Sequence, residues 1–343
     1  MLPKNLLIAA HFLAASAQAE PLLAVLQANG LTGFAQLLQK NPPPTTGRNI
    51  IVYAPTNPAL TAAGALTGNG TTLSRRDEDH DRWIALCMAN QNAVVLKRDV
   101  LSSCSPGSVF ETLLSGPEWV NLGPGRNQSL VEKGVSFSSR PLVLTGLGAS
   151  IKVVASDIAF DGGVVRPVDG IPTLPRSLSY TLPFLNADAF GNALRTAGLL
   201  PGLDNRTSIT VLAPNNAAFR NNGGLTGARL EQVLKEHILL GFPAYTPLLK
   251  DGSTYRTLAG SSVTVSVRDG VAYIGGAQIL AGDSIIQNGV VHTVDKLLTT
   301  TASSTALPVP VPTAAATTAK PLSWQALAFT LIGMAVAARC RFL

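Results

Sequence analysis

Two stretches of the chain share one pattern of apolar and polar positions. Ile50-Ile51-Val52-Tyr53-Ala54-Pro55-Thr56-Asn57-Pro58-Ala59-Leu60 and Ile209-Thr210-Val211-Leu212-Ala213-Pro214-Asn215-Asn216-Ala217-Ala218-Phe219 each run from β-branched and apolar residues into Ala-Pro and a polar pair. A short apolar run bounded in this way predicts a buried strand that stops at the proline, which cannot donate to a ladder. The Thr or Asn that follows can cap a helix, so Pro55, Asn57, Pro214 and Asn215 are expected to shape a strand-turn-helix unit. A helical stripe precedes each copy: Phe34, Leu37 and Leu38 before the first, Phe190 and Leu194 before the second.

A second shared motif closes each unit. Gly163-Val164-Val165-Arg166-Pro167-Val168-Asp169 parallels Gly289-Val290-Val291-His292-Thr293-Val294-Asp295, with Asp295 as the final structural residue. Ala54 and Asp169 are 115 positions apart and Ala213 and Asp295 are 82 apart, so the first unit carries 33 extra residues. Residues 61–81, rich in Gly, Thr and charge, read as a surface insertion that supplies part of them. In the second unit Leu230, Val233, Leu234, His237 and Ile238 form a helical face. Val263, Val265 and Val267 alternate with Thr264 and Ser266 as a half-buried strand, and Asp269-Gly270 turns it into Val271–Ile274 as a hairpin. Helices in front with strands behind predict an α+β unit.

With these motifs in order, the chain resembles the fasciclin-domain family. The resemblance rests on the strand and turn at 209–219, on Leu234-Lys235-Glu236-His237-Ile238 with Gly241, and on the closing run from Asn288 to Leu298. The first unit follows through the repeat. It has Arg166 where the family has His, and Trp83 to Asn90 lacks the His-containing pattern. The resemblance implies an α+β fold with two tandem fasciclin-type domains, 20–172 and 177–299, each a β-sheet wedge or sandwich with helices packed alongside. It implies cell adhesion, matrix assembly or surface attachment, with extracellular matrix or cell-wall glycans and proteins as partners. The family's Asp-Ile contact pair has a match in Asp157-Ile158, with His292 a further candidate contact. The second unit breaks that pair as Asp283-Ser284, and Glu236 before His237 removes the family's Tyr-His pair.

The chain ends change where these domains act. Lys4, an apolar run and Ala17-Gln18-Ala19 make 1–19 a signal peptide. Residues 300–321, almost wholly Thr, Ser, Ala, Pro, Val and Leu, read as an O-glycosylated stalk too poor in large apolar groups to fold. Residues 322–343 form an apolar tail that fits a GPI-anchor signal, a membrane tether through lipid. A transmembrane span is the alternative, but it calls for about 20 apolar residues and this tail carries Ser323, Gln325 and Thr330. Processing at both ends removes four of 26 basic residues and none of 20 acidic ones. The net charge of +6 therefore falls to about +2, which argues against nucleic acid as a partner. Cys87 and Cys104 remain as a pair in an oxidising compartment and are expected to form a disulfide. The sequons at Asn69, Asn127 and Asn205 predict glycosylated surface loops. Arg75-Arg76 is a candidate dibasic cleavage site in an exposed charged loop.

No catalytic motif emerges. The chain lacks Gly-x-Ser-x-Gly, His-Glu-x-x-His, Gly-x-Gly-x-x-Gly and a Walker loop. His237, on the apolar side of its helix, reads as a core histidine with satisfied hydrogen bonds. His237 and His292 alone are too few ligands for a metal. The expectation is therefore a binder without cofactor or metal. A soluble carrier with a cleft for lipid or glycan is the second reading, marked by a preformed pocket. An extracellular enzyme is the third, marked by convergent acids.

Overall fold

The structure, a computed structural model, describes residues 20–40, 49–66, 84–90, 107–134, 140–221 and 224–298. The expected signal peptide, Asn69, the Arg75-Arg76 pair, Cys104, the expected stalk and the apolar tail lie outside the described residues. No described helix is long and apolar enough to cross a membrane.

The repeated strands are the axis of the fold. Strand β1 (Ile50–Pro55) and strand β9 (Ile209–Pro214) are buried at every position. Each lies parallel to its closing strand, β8 (Gly163–Val168) or β15 (Gly289–Val294). The register is the same twice: Ile50 faces Gly163 and Pro55 faces Val168, while Ile209 faces Gly289 and Pro214 faces Val294. The glycines permit this approach. A Cβ at Gly163 would stand 1.9 Å from the Ile50 carbonyl oxygen, and one at Gly289 would stand 1.8 Å from that of Ile209. The closing aspartates act alike, Asp169 Oδ1 accepting from Lys152 N–H and Asp295 Oδ1 from Gln278 N–H, each at 2.7 Å.

Other strands complete the match. Strand β2 (Met88–Asn90) and strand β10 (Ile238–Leu240) pair antiparallel with β1 and β9. On the other side β7 (Ile158–Phe160) flanks β8, and β14 (Ala277–Ile286) flanks β15. The second half is one seven-stranded sheet that continues from β14 through β13 (Val271–Ile274) and β12 (Ser262–Arg268) to β11 (Thr254–Arg256). The first half divides that role between two four-stranded sheets, the second made of β3 (Gly107–Glu111), β4 (Ser129–Lys133), β5 (Leu142–Leu144) and β6 (Ser150–Lys152).

Helices cover the inner strands as their stripes require. Helix α1 (Leu22–Ala28) and helix α2 (Thr32–Lys40) bury Leu26, Phe34 and Leu38 against β1, within one core. The helices of the second half bury Phe190, Leu194 and Leu234 against β9. The turn after each central strand uses its two polar residues differently. Thr56 and Asn215 cap the helix that follows by accepting from Ala59 N–H and Ala218 N–H. Asn57 and Asn216 reach backward instead: Asn57 Oδ1 accepts from Gly33 N–H at 2.9 Å and Asn216 Oδ1 from Ala189 N–H at 2.9 Å. The turn thereby clamps the preceding helix, where sequence had assigned Asn57 to capping.

Two further expectations change. Ile238 opens β10 instead of extending the helical face, because the helix Gly227–Glu236 ends at His237. Within the expected surface insertion, Thr61 and Ala62 finish a helix and remain exposed, whereas Ala65 and Leu66 enter the core. Cys87 is a buried thiol, and its expected partner Cys104 lies outside the described residues. Alignment of β2 with β10 puts Cys87 at the place held by His237 in the second half. There a small apolar side chain fills core space, and burial pushes its thiol pKa well up.

Candidate functional site

The strongest polar features lie at one equivalent place in each half. In the first half, β8 carries Arg166 inward. Its Nε and Nη2 donate to Asp157 Oδ1 and Oδ2 at 2.8 and 2.6 Å, a two-point bond of high directional strength. Its Nη1 pairs with Glu132, whose Oε1 also accepts from the Tyr53 hydroxyl at 2.8 Å. Burial works against the guanidinium charge, but the bonds to Asp157 and the charge of Glu132 outweigh it and raise the Arg166 pKa. Burial and then Glu132 hold the Tyr53 phenol well above its ordinary range, so it stays a donor. Asp157 is partly exposed yet committed to Arg166, and Ile158 is half-buried against the core.

In the second half His292 occupies the register position of Arg166. It is fully buried, so the structure removes it as a surface contact. Its Nδ1 accepts from Asp283 N–H at 3.1 Å and its Nε2 donates to the Ala244 carbonyl at 2.9 Å, which defines a neutral ring. Burial lowers its pKa. Asp283, the equivalent of Asp157, is buried. Its carboxylate accepts from Thr246 N–H at 2.7 Å and from the Thr246 hydroxyl, and pairs with Lys133 Nζ at 2.9 Å. His237 is satisfied in the same manner as His292. Its Nδ1 donates to Val233 O at 2.8 Å, its Nε2 accepts from Leu298 N–H at 3.0 Å, and burial pushes its pKa down to about 4. Among the described residues, no group of three or more His, Cys, Asp and Glu is placed to hold a metal ion.

One strand serves both centres. Successive side chains of a strand point to opposite faces. On β4, Glu132 therefore turns to Arg166 and Tyr53 of the first half, while Lys133 turns to Asp283 of the second. Sequence reasoning passed over both residues. Their only signal is a Glu-Lys pair that follows the apolar Leu130-Val131 of β4.

Around that strand the halves form a seam. The Gln128 carboxamide donates to Ile286 O at 3.2 Å, Asn121 Nδ2 to Asn205 O at 3.0 Å, and Ser208 Oγ to Leu122 O at 2.8 Å. Val109 and Val131 pack there with Tyr245, Ile285 and Val290. Both described sequons border the seam. Asn205 is exposed, whereas Asn127 is half-buried and followed by buried Gln128 and Ser129.

Residues 186–300 match the fasciclin-domain family model. The fasciclin-like arabinogalactan protein of Arthroderma benhamiae is 28% identical over 203 residues, 58% of this chain and 47% of that protein. The chain thus spans about half of that relative's length. The fasciclin-like arabinogalactan protein elcF of Phaeosphaeria nodorum is 24% identical over 295 residues, covering 85% of this chain and 89% of that one. A solved FAS1 domain pair from the insect cell adhesion molecule Fasciclin I covers 81% of this chain and 95% of its own at a TM-score of 0.37 and 13% identity, too remote to carry an argument. Residues 186–300 thus carry a fasciclin domain with an α+β fold, and the chain as a whole is similar to fasciclin-like proteins.

Proposed function

We propose that this protein is an extracellular adhesion-type protein of the cell surface or wall, which binds matrix or wall glycans and proteins through two tandem fasciclin domains, 20–172 and 177–299. The observation that carries the reading is the duplicated frame. A strand, clamp, closing strand and buried polar centre recur at one register, and the second copy is the one that matches the family. The relatives named as fasciclin-like arabinogalactan proteins support a wall or surface setting. The conspicuous polar groups, Arg166, His237, His292 and Asp283, are engaged in internal bonds, which supports rigid presentation of a surface over chemistry at these groups. A stiff two-module unit on a stalk gains avidity when both modules engage one partner surface.

The tether belongs to the same reading: export by 1–19, a stalk at 300–321, and a lipid anchor in place of 322–343. Treating intact cells with a phospholipase specific for the anchor tests it. Release of the protein is expected, and retention beside a released control protein favours the spanning helix or covalent wall linkage. Deletion of the gene, in a strain without a second copy, is expected to reduce surface attachment. Unchanged attachment counts against the adhesion role.

A further inference from the structure

We infer that the cavity on the seam between the two halves is a binding site for one uncharged sugar ring, the pyranose unit of a glycan. The cavity holds about 250 Å3 and takes walls from both halves. Phe242 and Pro243 supply an apolar side, Ser129 and Tyr245 supply hydroxyl-bearing residues, and Glu111 and Arg126 stand at exposed positions on its lining.

The first argument is an unmet bond. Tyr245 is 2% exposed and its hydroxyl makes no well-formed hydrogen bond, the neighbouring Ser129 side chain giving it only a weak interaction. A buried, unpaired hydroxyl costs about 1–3 kcal/mol, so folded proteins rarely keep one without an occupant to satisfy it. Burial pushes the phenol up to about 12, so the group presents O–H at neutral pH. An occupant carrying hydroxyl or ether oxygens completes the bond.

The second argument is the balance of the lining. One cation and one anion, Arg126 and Glu111, offset each other in net charge but still offer a donor and an acceptor. Glu111 spends Oε1 on Asn127 N–H at 2.9 Å and retains Oε2. That pairing suits a neutral ligand with hydroxyls of both senses and disfavours a phosphate or a carboxylate. The Phe242 ring, held against Tyr255 at a centroid distance of 4.8 Å, offers a flat apolar face of the kind that packs on the C–H side of a sugar. The third argument is size. Pockets for drug-sized molecules run to roughly 300–1,000 Å3, so this one suits a single ring.

The inference rests on the surface-attachment reading only for the source of the glycan, and its test is separable. The probes are methyl glycosides of glucose, mannose and galactose, with inorganic phosphate and methyl glucuronide as charged competitors. The protein is the full chain bearing Asn127→Gln, so that a glycan at the adjoining sequon cannot block the cavity. Saturation-transfer NMR and calorimetric titration are expected to show binding of at least one neutral glycoside and weaker or no binding of the anions. Tyr245→Phe is expected to keep the unfolding midpoint or raise it, since the lost hydroxyl makes no well-formed bond in the protein. It is expected to weaken that glycoside about three- to tenfold, the worth of one neutral hydrogen bond. Absence of binding by all three glycosides, preference for phosphate, or unchanged affinity in Tyr245→Phe overturns the site. Cell attachment measured in parallel separates the two readings. Attachment without glycoside binding defeats the sugar site alone, and glycoside binding without attachment defeats the adhesion role alone.

Discussion

Acid should loosen this protein through its two buried histidines. His237 and His292 each use one ring nitrogen as an acceptor for a backbone N–H, from Leu298 and Asp283 respectively. A proton added at that nitrogen sets N–H against N–H and places a charge where no water reaches. Burial accordingly lowers both pKa values, that of His237 from 6.5 to about 4. The sign follows from proton counting. Between the two values the unfolded chain binds the proton and the folded chain does not, so stability rises with pH across that window. The contribution is complete above the unfolded value and is lost as pH falls from about 6.5 toward 4. At about pH 5 the unfolded imidazole is nearly all protonated and the folded one about a tenth, which removes roughly 2 kcal/mol through His237 alone. His292 adds in the same direction. The assay is urea unfolding followed by near-ultraviolet circular dichroism at about pH 7.5 and about pH 5, with linear extrapolation to water. His237→Gln, which can still accept the Leu298 bond but does not titrate, is expected to start less stable and to lose roughly 2 kcal/mol less between those conditions. A wild-type stability that is flat over the window refutes the reasoning, as does a His237→Gln variant that keeps the full slope.

The remaining predictions concern the seam and the repeat. Lys133→Met strands the buried Asp283 carboxylate, and the loss expected in the same unfolding assay is about 3 kcal/mol, the low end for a broken buried pair because the lysine is itself partly solvated. Lys235→Met, which breaks the exposed helical pair with Glu231, is expected to cost less than about 0.5 kcal/mol. Gly163→Ala and Gly289→Ala are both expected to abolish soluble folded protein, since each Cβ meets a strand carbonyl that cannot move. Gly202→Ala, whose Cβ meets nothing within 4 Å, is expected to express normally. Cys87 should resist alkylation by iodoacetamide in the native protein and react fully in urea. Rapid native labelling would contradict its place in the core.

Much of the frame was legible because it is local. A β-branched run, a proline and a short polar side chain already limit backbone choices, so the strand-turn-helix at 50–60 and at 209–219 follows from residue chemistry. The alternation at 263–267 and the Asp269-Gly270 turn gave their hairpin in the same way. Satisfied burial of His237 was also readable, from an imidazole on an apolar face. The errors arose where two distant segments had to meet. Nothing local distinguishes the Thr56 that caps a helix from the Asn57 that clamps the one before it. Nothing local places Cys87 either; packing around β1 makes it a core residue.

The sequence by itself determined the fasciclin resemblance, the repeated strand-turn-helix pattern and which residues are apolar enough to be inside. Tertiary structure alone decided what the polar residues do. Asp157 closes on Arg166, His292 turns inward, and adjacent residues of one strand, Glu132 and Lys133, serve opposite halves. The reason is physical: apolar burial follows from patterns a few residues long, whereas a buried charge is settled only by the partner that the folded chain brings within hydrogen-bonding distance, here up to 150 residues away along the sequence.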